Sequence, residues 1–161
     1  MTKIIVGYPC IGKSMFGRGI GKDYVMDLEF RESATTKGMS PFDRLDVFSH
    51  YINVIKKIMV TNYYEYLLVT DDVMMVNQLT AECIPFCIVI PHPNDDEYKE
   101  IHKIRTIDRS GEDWYQSVIE HYTYRDLWYL ISIAEKNKNV SIKYLNKEKP
   151  YITDVIDFTE Y

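Results

Sequence analysis

Lys3-Ile4-Ile5-Val6-Gly7-Tyr8-Pro9-Cys10-Ile11-Gly12-Lys13-Ser14 is the stretch on which the reading of this chain turns. A short β-branched run, Lys3 to Val6, stops at Gly7. A loop bearing glycine and proline follows, and a polar start near Lys13 opens a helix. Gly7 to Ser14 has the form G-x-x-x-x-G-K-[ST], a spacing that works as an anion cradle only where a strand ends and a helix begins. In that setting glycines let backbone N–H groups turn inward, and the helix N-terminus adds partial positive charge. The lysine then reaches the β- and γ-phosphates of a nucleotide, and the hydroxyl binds Mg²⁺. Gly7, Tyr8, Pro9, Cys10, Ile11, Gly12, Lys13 and Ser14 are therefore the candidate nucleotide-binding residues, with ATP and Mg²⁺ as the expected ligands. The plainer alternative is an ordinary glycine-bearing turn between strand and helix.

Outward from this loop, extended and helical patterns alternate. Tyr24-Val25-Met26 reaches Asp27, and Arg31 to Gly38 is polar and small. Ser40-Pro41 reads as an N-cap and first helical residue, followed by an apolar stripe from Phe42 to Met59. Tyr66 to Thr70 is an uninterrupted apolar strand closing on Asp71-Asp72, with a short helix over 73–83 behind it. Pro85 to Ile90 is the next strand, closed by Pro91-His92-Pro93. The charged stretch Asp95 to Ile107, with Tyr98, Ile101 and Ile104 as its sparse apolar positions, predicts a surface helix running into an exposed turn at Arg109-Ser110-Gly111. Trp114 to Ala134 predicts a second long helix, Val140 to Leu145 a last strand, and Tyr151 to Phe158 a terminal helix. Strands alternating with helices imply a three-layer α/β/α sandwich with a parallel, roughly five-stranded sheet. The expectation is one domain over residues 1–161, with a short mobile lid near 95–112.

Composition narrows the partners. The chain has 161 residues, within the range of one domain, and its 19 Lys+Arg against 24 Asp+Glu give a net charge of −5. No block of like charge is present, so nucleic acid is not the expected partner. Apolar stretches are far short of a membrane span and the N-terminus lacks a secretory pattern, which makes the cytoplasm the expected compartment. Cys10, Cys83 and Cys87 suggest reduced thiols rather than a disulfide framework or a zinc site. His50, His92, His102 and His121 show no ligand spacing, and most of them read as surface or capping residues.

Four further groups carry potential chemistry. Ser14 implies a metal site that wants a carboxylate at the end of a neighbouring buried strand; Asp71 has the apolar run before it, and Asp72 competes for the role. Asp27 and Glu29, two apart in extended chain, point the same way at the end of the second strand and are candidates to prepare or orient an acceptor, with Arg31 close behind. Arg105 and Arg109, four apart beside Lys99 and Lys103, are candidates for a basic segment over developing phosphoryl charge. For each of these acidic and basic groups a helix cap or a solvated face is the alternative.

The loop at Lys3 to Ser14, the Asp27-Leu28-Glu29 triplet, and Cys87-Ile88-Val89-Ile90-Pro91 with its charged, Tyr98-bearing helix together resemble the small phage-type P-loop nucleotide kinase-like proteins. These are similar in fold to adenylate kinases. The resemblance implies that Gly12, Lys13 and Ser14 bind ATP phosphates and Mg²⁺, that Asp27 and Glu29 lie on the acceptor side, and that Arg105 and Arg109 stand near the lid. Its implied activity is phosphoryl transfer from ATP to a nucleoside, nucleotide or related small acceptor. A nucleotide-binding regulatory module, or a P-loop kinase acting on DNA, are the alternatives. The chain departs from the pattern in carrying Thr70-Asp71-Asp72 after the third strand and in lacking a long or zinc-binding lid.

Overall fold

The computed structural model describes residues 1–19, 21–28, 39–119 and 124–158. Its centre is β1 (Lys3–Gly7), with β3 (Tyr66–Thr70) on one side and β4 (Phe86–Pro91) on the other. β2 (Val25–Leu28) and β5 (Val140–Leu145) complete an all-parallel sheet in the order β2-β3-β1-β4-β5. Strands of a parallel sheet are covered on both faces and so lose the polar–apolar alternation. Ile4, Ile5 and Val6 in β1, Leu67, Leu68 and Val69 in β3, and Ile88, Val89 and Ile90 in β4 are accordingly all buried.

The helices are α1 (Lys13–Arg18), α2 (Pro41–Thr61), α3 (Val73–Ala81), α4 (Asp96–Ser110), α5 (Tyr124–Lys136) and the short α6 (Ile152–Val155). α2 starts as its sequence predicts. Ser40 Oγ accepts from the Asp43 N–H, the Asp43 carboxylate accepts from the Ser40 N–H, and Pro41 takes the first turn. α2 packs on α3 and α3 on α5, while α1 packs on β2 and α6 on β5. The arrangement is α/β and consistent with three layers.

Over the helix predicted at Trp114–Ala134 the described residues show the end of a helical turn at Glu112–Trp114, a π-helical turn at Tyr115–Ile119, and α5 from Tyr124; residues 120–123 lie outside the described residues. Apolar spacing alone does not register a change in helical pitch of this kind. α4, expected as a surface helix, also has a buried face. Ile101 and Ile104 are 39% and 55% exposed, whereas Tyr98, His102 and Thr106, four residues apart in turn, are buried.

Candidate functional site

Because β3 and β4 flank β1 on opposite sides, the carboxyl end of β1 lies where the strand order reverses, the crevice in which open α/β sheets collect ligands. Gly7 pairs with Thr70 of β3 and Val89 of β4, and the Tyr8 N–H donates to the Val89 carbonyl at 2.9 Å. From there the loop turns sharply. Cys10 (φ 57°) and Gly12 (φ 94°, ψ 9°) are both left-handed, and α1 begins on Gly12, whose carbonyl accepts from the Phe16 N–H at 2.9 Å. Turn backbone of this kind can aim successive N–H groups to one side, the arrangement that makes an anion-binding concavity.

Lys13 folds back along the loop, donating to the carbonyls of Gly7 and Tyr8, the latter at 2.8 Å. Gly7 is glycine for a reason the sequence motif does not express: a Cβ there would stand 2.8 Å from Lys13 Cδ and 3.1 Å from Ile11 Cδ1. The missing side chain makes room for the lysine stem. Tyr8 is buried, and burial first, then the negative charge of Asp71, pushes its phenol pKa far up, so it remains a neutral hydroxyl.

The two aspartates after β3 differ in their surroundings. Asp72 caps α3, its Oδ1 accepting from the Met74 and Met75 N–H groups at 2.8 and 3.1 Å. Asp71, fully buried one residue beyond the Gly7–Thr70 rung, stands at the end of the strand next to β1. Its negative charge is close enough to raise the Tyr8 phenol pKa, which places it beside the start of the loop.

Asp27 pairs with Leu68, which pairs with Ile5, so it sits two rungs back from the Gly7 edge. Its Cβ lies 3.1 Å from where a Cβ on Gly17 of α1 would be. Both carboxylate oxygens are buried without a hydrogen-bond partner. Glu29 and Arg31 lie outside the described residues.

The segment expected as a lid is helix α4, and its buried face is seated against the loop. His102 is 3% exposed, which sets it apart from the surface or capping reading of the histidines: its Nε2–H donates to the Pro9 carbonyl at 2.9 Å. Burial, reinforced by the nearby Arg105 charge and opposed by the Pro9 carbonyl, lowers its pKa from 6.5 to about 4. Arg105 points to the same loop, 3.4 Å from the Cys10 carbonyl, with its guanidinium 4.5 Å from the centre of the Tyr151 ring. Arg109 is exposed in the last turn of α4 and is not brought together with it. Sequence reasoning gave His102 no role and took Tyr98 only as one of the apolar positions of the helix. The signal for a shared buried face was their four-residue spacing with Thr106.

A cavity of about 510 Å³ at the opposite, amino edge of the sheet is lined by Thr2, Lys3, Tyr66, Phe86, Cys87 and Asn139, among others. It contains none of these candidate residues, so chemistry rather than volume selects the carboxyl edge. Among the described residues no helix is long and apolar enough to cross a membrane. No protein-family model matches the chain, and no curated protein or solved structure is significantly similar to it.

Proposed function

We propose that the chain is a P-loop kinase that binds Mg·ATP on the Gly7–Ser14 loop and transfers the γ-phosphoryl to a nucleoside, nucleotide or related small acceptor. The observation that carries this reading is the loop itself. It joins the central strand to a helix at the reversal of strand order, is left-handed at Cys10 and Gly12, and has Lys13 lying along it.

The residues fall into roles by position. Backbone N–H groups of the loop and the start of α1 face the phosphates; Lys13 moves from the Gly7 and Tyr8 carbonyls to the β- and γ-oxygens when a nucleotide enters. Ser14 and Asp71 supply a hydroxyl and a carboxylate, the hard oxygen donors Mg²⁺ prefers. That ion is commonly held by one or two protein groups, with phosphate oxygens and water completing the shell. Among the described residues there is no cluster of three metal-ligating side chains, and an ion delivered with a triphosphate requires none. Bound there, Mg²⁺ supplies charge neutralisation of the β- and γ-phosphates. Asp27, with Glu29 beyond it, serves the acceptor side: it accepts the hydrogen of an acceptor hydroxyl, or orients an acceptor that is itself a phosphate.

The test is ADP formation from Mg·ATP or Mg·GTP across a panel of nucleosides and nucleoside monophosphates, beside titration calorimetry of each triphosphate. Lys13→Ala should keep the melting temperature, since the side chain serves the ligand rather than the core, and should abolish turnover. Binding without any phosphorylated acceptor would replace the kinase with a nucleotide-holding regulatory module. No heat at millimolar Mg·ATP or Mg·GTP would remove the reading altogether.

A further inference from the structure

Three successive carbonyls of the loop are held by groups from the far half of the chain. Pro9 O accepts from His102 Nε2 at 2.9 Å, Cys10 O from an Arg105 Nη at 3.4 Å, and Ile11 O from the Ile152 N–H at 2.9 Å. The peptide bonds here are trans, and in a planar trans peptide the carbonyl and the N–H it is joined to point in opposite directions. Holding these three oxygens outward therefore turns the N–H groups of Cys10, Ile11 and Gly12 inward, toward the concavity. The same Arg105 nitrogen lies 3.4 Å from the Pro150 carbonyl, which also accepts from Tyr98 Oη at 3.1 Å. α4 and the chain entering α6 thus act on the loop as one body.

The helix gives up apolar burial to do this. α4 turns Tyr98, His102 and Thr106 inward and leaves Ile101 and Ile104 in solvent, the reverse of what hydrophobic burial alone favours. What this side of the helix gains is a His102 donor at the Pro9 carbonyl and a Tyr98 donor at the Pro150 carbonyl, with Arg105 beside them reaching the Cys10 carbonyl.

We propose that His102 and Arg105 are positioning residues: together with the Ile152 amide they form an outer brace that presets the loop amides to receive an anion before any ligand arrives. This rests on reading the loop as a triphosphate site. A carbonyl can only accept, so His102 must carry its proton on Nε2, and its burial keeps the ring neutral at physiological pH.

The experiment compares His102→Leu, which fills space without a donor, with His102→Gln, whose side-chain nitrogen is the same number of bonds from Cβ as Nε2. Amide NMR and hydrogen exchange of Cys10, Ile11 and Gly12 are recorded on the nucleotide-free full chain, with melting curves as a fold control and Mg·ATP titration as the binding readout. In His102→Leu the three amides should shift and exchange faster at an otherwise native spectrum, and Mg·ATP affinity should fall about tenfold, the effect of one lost hydrogen bond. His102→Gln should return both toward wild type. Loop amides of His102→Leu that superimpose on wild type, or a Gln variant no better than Leu, would overturn the brace. Should His102→Leu fail to fold, Arg105→Met provides the same comparison at the Cys10–Ile11 peptide. A wild-type chain that binds no Mg·ATP would remove the triphosphate reading, while the ligand-free amide comparison still decides the brace.

Discussion

Replacing Gly12 with alanine puts one methyl group at a backbone position with φ of 94°. Its nearest neighbour would be Tyr151 Cδ1 at 3.5 Å, an ordinary van der Waals contact, so no steric term enters from outside. The whole cost is conformational, and holding an L-residue in the left-handed region costs about 1–2 kcal/mol. For a chain of 161 residues that corresponds to a melting temperature lower by about 2–8 °C. If the variant instead relaxes to negative φ, the amides of Gly12 and Lys13 rotate away from the concavity, stability recovers and triphosphate affinity falls. Gly111 is the internal control. It also has positive φ (89°), with nothing within 4 Å of an added Cβ, and it closes α4 away from the loop. Differential scanning calorimetry and Mg·ATP titration on Gly12→Ala and Gly111→Ala separate the two effects. Both should lose stability or relax locally, and only Gly12→Ala should weaken binding. A Gly12→Ala protein with wild-type melting and wild-type affinity, or a Gly111→Ala protein that binds equally poorly, would refute the reasoning.

Gly7→Ala tests the other glycine through a different mechanism: its Cβ displaces the Lys13 stem by direct contact, so Mg·ATP affinity should drop about tenfold with little change in melting temperature. Asp27→Asn keeps the shape of a side chain whose two oxygens are buried without hydrogen bonds but removes its capacity to take a proton; acceptor phosphorylation should fall at least about tenfold with Mg·ATP affinity unchanged, and wild-type turnover would contradict the assignment. His102 gives a pH dependence of definite sign. Its pKa is lowered from 6.5 to about 4 in the fold, so within that window the unfolded chain takes up a proton the folded chain refuses. Stability contributed by the neutral ring is complete above the window, falls as pH drops through it at up to about 1.4 kcal/mol per pH unit, and levels off below. Urea midpoints across that window should fall more steeply for wild type than for His102→Gln; parallel profiles would show that the ring titrates normally.

The sheet and the loop were legible because their residues answer to local rules. Val6-Gly7 ends a strand, Lys13-Ser14 starts a helix, and the apolar run into Asp71 identifies a strand buried on both faces. Which of Asp71 and Asp72 caps the following helix was not legible, since the two are chemically identical and only the backbone geometry selects Asp72. The buried face of α4 was not legible for a physical reason. Its buried face is chosen by the loop carbonyls it must meet, and hydrogen-bond demand on a helix follows from tertiary placement rather than from its own periodicity. The π-turn after Trp114 escaped because it adds a residue per turn without changing which residue types are apolar.

His102 and Arg105 reach carbonyls 93 and 95 residues away along the chain. A ribosome making this protein therefore exposes Gly7 to Ser14 long before the parts that shape it exist. The first strand and first helix can form early, but the braced form of their junction waits for α4 and for the Ile152 amide to emerge and dock. If the loop takes a triphosphate as proposed, its competence for that ligand arrives only with this docking, and bound nucleotide would favour the docked chain over shorter nascent forms.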